Sequence, residues 1–230
     1  MLPDNFLTRP IAHRGLHDMS AAAPENSRAA IRAAIAQGYG IEIDLQLTAD
    51  DAAVVFHDYD LDRLSDRSGF VRDQTSTDLS TLRLLGGDET VPSYPEGLAI
   101  VAGQVPLLVE LKDQDGALGK NVGPLEAAVA DALPGYAGPL AVMSFNPHSV
   151  AALQKLAPDV PRGLVTMDFN KAVPEAPRQT VEALSRIEDF DRVGASFVSH
   201  SHRDLAMPAI AALRALGVPF LFCTILSPLL

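Results

Sequence analysis

An α/β fold, a (β/α)8 TIM barrel lacking its final helix, is what this sequence predicts, and three observations carry the prediction. Short apolar segments alternate with Ala-rich amphipathic ones from end to end, the pattern of parallel βα units. The ionisable clusters fall at the C-terminal ends of four apolar segments, ends that converge on one mouth in a parallel barrel. The length of 230 residues suits one such barrel, and no composition break, repeat or low-complexity tract marks a second unit. Residues 1–230 are therefore read as one domain.

The clearest strand is Ile41-Glu42-Ile43-Asp44-Leu45-Gln46-Leu47-Thr48. Its alternation turns Ile41, Ile43, Leu45 and Leu47 to one face and Glu42, Asp44 and Gln46 to the other. Strands are expected at 10–13, 41–45, 54–57, 106–111, 140–145, 163–166, 195–200 and 220–225. Helices are expected at 25–37, 95–103, 124–133, 147–156, 177–189 and 204–216, several opening on Pro and closing on Gly. Two connections break the pattern. Residues 48–51 are too few for a right-handed parallel crossover, so either the third strand pairs unusually or a helix is missing. The stretch from about 58 to 104 is a long insertion rich in Asp, Arg, Ser, Thr and Gly, where function is expected. The chain ends at Ser227-Pro228-Leu229-Leu230, right after the eighth strand, which predicts a bare seam that a second copy could cover as a homodimer.

Hydrophobic residues make up 47 % of the chain, ample for a core, and the formal charge of −11 argues against nucleic acid or an anionic membrane as the main partner. One cysteine, Cys223, excludes an internal disulfide framework and fits a reducing compartment. The N-terminus lacks the basic and apolar regions of a secretory signal, and there is no run of 18 apolar residues. The expectation is a soluble, cytoplasmic protein without stable membrane insertion.

Glu42 and Asp44 share a strand face about 7 Å apart along the chain. Unpaired acids on a shielded surface oppose folding unless a cation lies between them; the lesser alternative is an edge strand whose polar face is simply wet. Glu110 and Lys112 form a second i, i+2 pair. Three carboxylates from two strands offer the hard oxygen ligands that Mg²⁺ or Ca²⁺ takes. Arg14 presents a planar fork that matches two phosphate oxygens, and Lys112 adds positive charge beside the metal; a salt bridge from Lys112 to one of the acids is the alternative and need not exclude a phosphate role. His13 and His57, from the first and third strands, have the ordinary pKa that general acid/base work needs. Asp58 reads as an orienting group or loop cap. Pro24-Glu25-Asn26-Ser27 reads, from the residues alone, as a helix cap. His200 and His202 could line the mouth, but their spacing fits no metal motif.

Taken together, His13-Arg14-Gly15, Pro24-Glu25-Asn26, Glu42-x-Asp44, Thr48-x-Asp50, His57-Asp58 and Glu110-x-Lys112 resemble the glycerophosphodiester phosphodiesterase family. The likeness runs in order from about Ile11 to Lys112 and continues more weakly to Ile225. It implies a TIM-barrel hydrolase that uses a divalent cation to cleave small glycerophosphodiesters into glycerol 3-phosphate and an alcohol. It implies Glu42, Asp44 and Glu110 as metal ligands, His13 and His57 as the acid/base pair, and Arg14 and Lys112 as phosphate ligands. Glu25 and Asn26 would support the site. The implied route is attack by the neighbouring glycerol hydroxyl, giving a cyclic phosphate that water opens. Three departures stand out: Cys223-Thr224-Ile225 replaces the family's aromatic Trp-Thr-Val type segment, the last helix is missing, and the family's inserted subdomain is represented only by the segment after Asp58. The alternatives are a phospholipase D-like or lyase relative that stops at the cyclic phosphate, and an impaired barrel that only binds phosphodiesters.

Overall fold

The computed structural model describes residues 1–172 and 177–223. Among them, seven strands form a curled parallel sheet: β1 (Ile11–Ala12), β2 (Gly40–Leu47), β4 (Leu107–Leu111), β5 (Leu140–Ser144), β6 (Arg162–Thr166), β7 (Phe197–Ser201) and β8 (Phe220–Cys223), neighbours in that order. The helices are α1 (Arg28–Gln37), α2 (Ser76–Ser80), α3 (Tyr94–Val101), α4 (Pro124–Ala132), α5 (Pro147–Leu156), α6 (Phe169–Ala172), α7 (Arg178–Arg186) and α8 (Pro208–Ala215). This is an incomplete TIM barrel, the expected class. The expectations for residues 224–230, the bare seam included, lie outside the described residues.

The strand at 54–57 departs from expectation. It is β3 (Ala53–Val55), antiparallel to β2 with Leu45 opposite Val55 and Leu47 opposite Ala53, and it takes no place in the parallel series. The physical reason is the short connection: 48–51 can close a hairpin but not a crossover. Thr48 closes it, accepting from and donating to Ala52, while Asp50 takes the backbone N–H and hydroxyl of Ser76.

Period-two alternation sorts the strands into two layers. Ile41, Ile43 and Leu45 of β2 and Leu107, Val109 and Leu111 of β4 pack outward against Ile31, Leu98, Val101, Leu125 and Val129 of the helices. Inward, Leu108, Ala141, Met143, Val165 and Phe197 fill the barrel, with Leu2 and Phe6 packed against them. Gly163 leaves the room that the Phe197 ring occupies; a Cβ there would collide with it. This apolar layer lies below the mouth, where Glu42, Asp44 and Glu110 sit on the same inward faces of β2 and β4.

Local chemistry ends the helices where composition says it should. Ser27 accepts from the Ala30 N–H at the start of α1, and Gly38, at φ 67°, ends it. Ser93 and Glu96 form a reciprocal cap on α3, as Thr75 and Asp78 do on α2. The insertion has a core of its own, with Val54, Phe56, Leu61, Leu64, Val71, Leu79, Leu82, Leu84 and Val91 buried together. No helix among the described residues is long and apolar enough to cross a membrane.

Phe6 is 1 % exposed within the barrel interior. Phe6→Ala is expected to cost about 3–5 kcal/mol by removing that packing and leaving a cavity, measured by urea unfolding.

Candidate active site

Parallel pairing places Asp44 directly opposite Glu110, and Glu42 lies two residues back on the same face as Asp44. Their carboxylate oxygens come within 4.8 Å of one another, and all three residues are buried. The alternation read from the octapeptide therefore does bring the acids together, and the wet-edge alternative fails on their burial.

That packing is electrostatically costly. Burial first, then the charges of Asp44 and Glu110, push the Glu42 carboxyl well above the usual carboxylate range. Burial also raises Glu110, against the pull of Lys112. Burial opposes the charge of Asp44 too, but Lys112, His57 and a hydrogen bond from Asn26 outweigh it, and its pKa is lowered. Lys112 answers the cluster with Nζ 2.7 Å from Asp44 Oδ1 and 2.5 Å from Glu110 Oε1. Both acids raise its pKa against the effect of burial. The salt-bridge reading of Lys112 is thus correct as far as it goes.

One ammonium does not satisfy three carboxylates. Glu42 Oε1 is buried without a hydrogen-bond partner among the described residues. An orphaned oxygen in an all-oxygen, acid-rich cradle fits a hard divalent cation. The donor set therefore suits Mg²⁺ or Ca²⁺ and does not choose between them.

The first βα loop supplies the next layer. Arg14 and Gly15 both take positive φ, 58° and 77°. This turns the Arg14 N–H onto Glu42 Oε2 at 2.9 Å and that of Gly15 onto the Glu42 carbonyl at 3.1 Å. A Cβ on Gly15 would lie 2.8 Å from Ala30 Cβ, so only glycine lets α1 approach so closely. The Arg14 guanidinium donates to Glu25 Oε1 at 2.8 Å, and its Nε lies 3.5 Å from Asp44 Oδ2. Asn26, at φ 59°, donates to Asp44 Oδ2 at 2.9 Å and accepts from the Asp44 N–H at 3.2 Å. The cap reading of this stretch holds for Ser27 alone; Glu25 and Asn26 hold Arg14 and Asp44.

His13 follows β1 directly, half-buried. Burial, then the Arg14 charge, lowers its pKa to about 4, with Asp44 opposing and Lys112 and His57 adding to the fall. His57 reaches the mouth by a different route from the one expected. It lies beyond antiparallel β3, after which the Phe56 N–H donates to the Asp44 carbonyl, so the hairpin rises past the mouth and folds back beside the acids. Buried Gln46 secures the return, its amide donating to the carbonyls of His57 and Asp58. The Nδ1 of His57 lies 2.5 Å from Asp58 Oδ1, as the orienting role expected of Asp58 requires. Burial opposes the Asp58 charge, but bonds from Arg63 and His57 outweigh it and hold the carboxyl at about 2. Arg63, which the sequence reading missed, forks onto both Asp58 and Glu25. Its place in a polar loop resembles any solvated arginine, and the only cue was its nearness to His57-Asp58.

His200 is fully buried, its Nδ1 2.7 Å from Thr166 Oγ1 and its Nε2 3.1 Å from the Asp204 carbonyl, so both ring nitrogens are spent. His202 Nδ1 faces the Cys223 carbonyl at 3.3 Å. Neither joins the acid cluster. Burial raises the pKa of the Cys223 thiol.

Fold and site together define a TIM-barrel protein with a buried carboxylate trio at its mouth. The chain belongs to the glycerophosphoryl diester phosphodiesterase family, whose profile matches residues 13–212. YhdW of Bacillus subtilis is 34 % identical over 167 residues, covering 68 % of this chain and 65 % of that protein. The glycerophosphodiester phosphodiesterase of Caldanaerobacter subterraneus is 32 % identical over 169 residues, covering 69 % and 66 %. The aligned stretch thus takes in a little under two thirds of each relative. Among solved structures, a phosphodiesterase of Oleispira antarctica in complex with the product sn-glycerol 3-phosphate superposes with a TM-score of 0.77. It is 25 % identical, with 96 % of this chain and 87 % of that chain covered.

Two predictions follow from these charges. Glu42 and Glu110 have raised carboxyl pKa values, so their contribution to the stability of the metal-free protein is lost as pH rises above the unfolded value of 4.5. A divalent cation at 100 times its Kd should restore roughly 2.7 kcal/mol at neutral pH. Glu42→Gln and Glu110→Gln should each abolish that gain in thermal-shift assays with Mg²⁺ or Ca²⁺; a variant with the wild-type shift is not a ligand variant. For His13, the unfolded ring binds a proton near 6.5 and the native ring only near 4, so its contribution to stability falls as pH drops between those values. Denaturant titrations across that window should show a smaller acid-side loss for His13→Gln than for the wild type.

Proposed function

We propose that this protein is a divalent-cation-dependent phosphodiesterase that converts a glycerophosphodiester and water into glycerol 3-phosphate and the free alcohol. The observation that carries the reading is the buried trio of Glu42, Asp44 and Glu110, with an unpaired Glu42 oxygen, set beside two histidines and two cations in a member of this family. The product bound to the Oleispira relative supports the substrate class.

Glu42, Asp44 and Glu110 would hold the cation, which supplies charge neutralisation at the phosphoryl oxygens as negative charge develops. Arg14 and Lys112 bind the phosphate oxygens and orient the diester. His13, kept neutral at pH 7 by burial and neighbouring cations, accepts the proton of the glycerol hydroxyl next to the phosphate. That oxygen bonds to phosphorus, the bond to the leaving alcohol breaks, and protonated His57 gives the alcohol its proton. Ionised Asp58 accepts a hydrogen bond from the Nδ1–H of His57, which leaves Nε2 as the nitrogen that transfers. Water then opens the cyclic phosphate with the roles reversed: neutral His57 takes a water proton, and protonated His13 returns one to the glycerol oxygen. Holding the hydroxyl against the phosphate makes the first step intramolecular, which suits a site built mainly to position groups.

Incubation with glycerophosphocholine and glycerophosphoethanolamine, each with Mg²⁺ or Ca²⁺, should release the alcohol, with any cyclic intermediate read by phosphorus NMR. His13→Ala and His57→Ala are each expected to lower kcat roughly 10²–10⁴-fold. Absence of turnover with any head group, from folded cation-loaded protein, overturns the proposal. A cyclic phosphate that accumulates unopened would assign a lyase instead.

A further inference from the structure

We infer that Arg63 is a positioning residue for the reaction proposed above, setting the His57 ring through Asp58 from a segment outside the barrel. Its guanidinium grips two carboxylates at once. Nε donates to Asp58 Oδ2 at 2.6 Å and Nη2 to Asp58 Oδ1 at 2.9 Å, while Nη1 and Nη2 donate to the two Glu25 oxygens, each at 2.8 Å. A planar fork is needed to satisfy two carboxylates in this way; an ammonium cannot.

Each carboxylate has a second task. Asp58 Oδ1 also faces His57 Nδ1, and Glu25 Oε1 also accepts from Arg14 Nη1. Arg63 is therefore the link in a continuous chain from Arg14 through Glu25 and Asp58 to His57. It joins the group that holds the phosphate to the imidazole that moves the proton. The backbone carrying it is anchored, because Leu61 and Leu64 on either side are buried in the insertion's own core.

The Arg63 side chain is 48 % exposed and its Glu25 and Asp58 partners 12 % and 19 %, so the forked network adds modest stability. What the fork also supplies is orientation. With both Asp58 oxygens held, the carboxylate keeps the angle at which it accepts a hydrogen bond from Nδ1–H, so that Nε2 faces the leaving group. Released from Arg63, Asp58 can rotate and His57 can take the other tautomer.

The test compares Arg63→Ala and Arg63→Lys with the wild type by steady-state kinetics, thermal unfolding and ¹⁵N-detected NMR of the His57 ring, assigned with His57→Gln. For Arg63→Ala, kcat should fall about 10–100-fold with KM nearly unchanged, as when an orienting partner is lost. The melting temperature should fall only modestly, the protonated Nδ1 signal of His57 should weaken, and millimolar guanidinium should recover part of kcat where sodium at equal ionic strength does not. Arg63→Lys should fold and fall short of the wild type in both kcat and the Nδ1 signal, and it carries the test if the alanine variant does not fold. Wild-type kcat in a folded variant, or a loss of kcat with an unchanged ring signal and no guanidinium rescue, overturns the inference. If the wild type turns over no glycerophosphodiester, the proposed function fails on its own, and the ring signal still decides whether Arg63 sets the tautomer.

Discussion

Three carboxylates on two adjacent strands, taken out of water together, set the constraint that the mouth of this barrel is arranged to meet. Charges so buried raise one another's proton affinity and oppose folding unless something positive sits among them. Lys112 pairs with Asp44 and Glu110, and the Arg14 backbone N–H caps one oxygen of Glu42. The other Glu42 oxygen is buried without a hydrogen-bond partner among the described residues, a position that fits a cation. The positive-φ turn at Arg14 and Gly15, itself costing of order 1–3 kcal/mol per non-glycine residue, exists at the one place where its N–H groups reach Glu42.

The hairpin and the insertion complete the mouth. An antiparallel hairpin lifts the chain out of the barrel series and returns it at the level of Asp44, delivering His57 to the acids from outside the parallel sheet. A separate apolar core then stiffens the segment that carries Arg63. Arg63 in turn ties Asp58 to Glu25, so loops from two different elements hold one imidazole and one guanidinium in fixed relation. Outside the mouth the barrel is conventional: apolar side chains face the helices on one side and fill the interior on the other.

The site was legible where chemistry follows a local period. Glu42 and Asp44 two residues apart, and Glu110 and Lys112 likewise, had to share strand faces once strands were assigned, and the structure brings them together. The same holds for the helices opening on Pro147 and Pro124, whose starts match the expected ones. Legibility failed where long-range contacts choose the partner. Apart from its nearness to His57-Asp58, Arg63 reads as a solvated arginine, and Glu25 and Asn26 read locally as residues serving only their own helix. His200 looked available from sequence spacing, yet Thr166 and the Asp204 carbonyl occupy both of its nitrogens.

By itself the sequence determined the alternation of apolar strand segments with amphipathic helices, the face on which each acid lies, and the family to which the motifs belong, because these depend on side-chain period and order along the chain. Tertiary structure alone decided that the third strand runs antiparallel, that His57 arrives from the end of that hairpin, and that Arg63 joins Glu25 to Asp58. Those outcomes depend on which groups meet across tens of residues, and pairing energies between distant segments leave no periodic mark on the residues that make them.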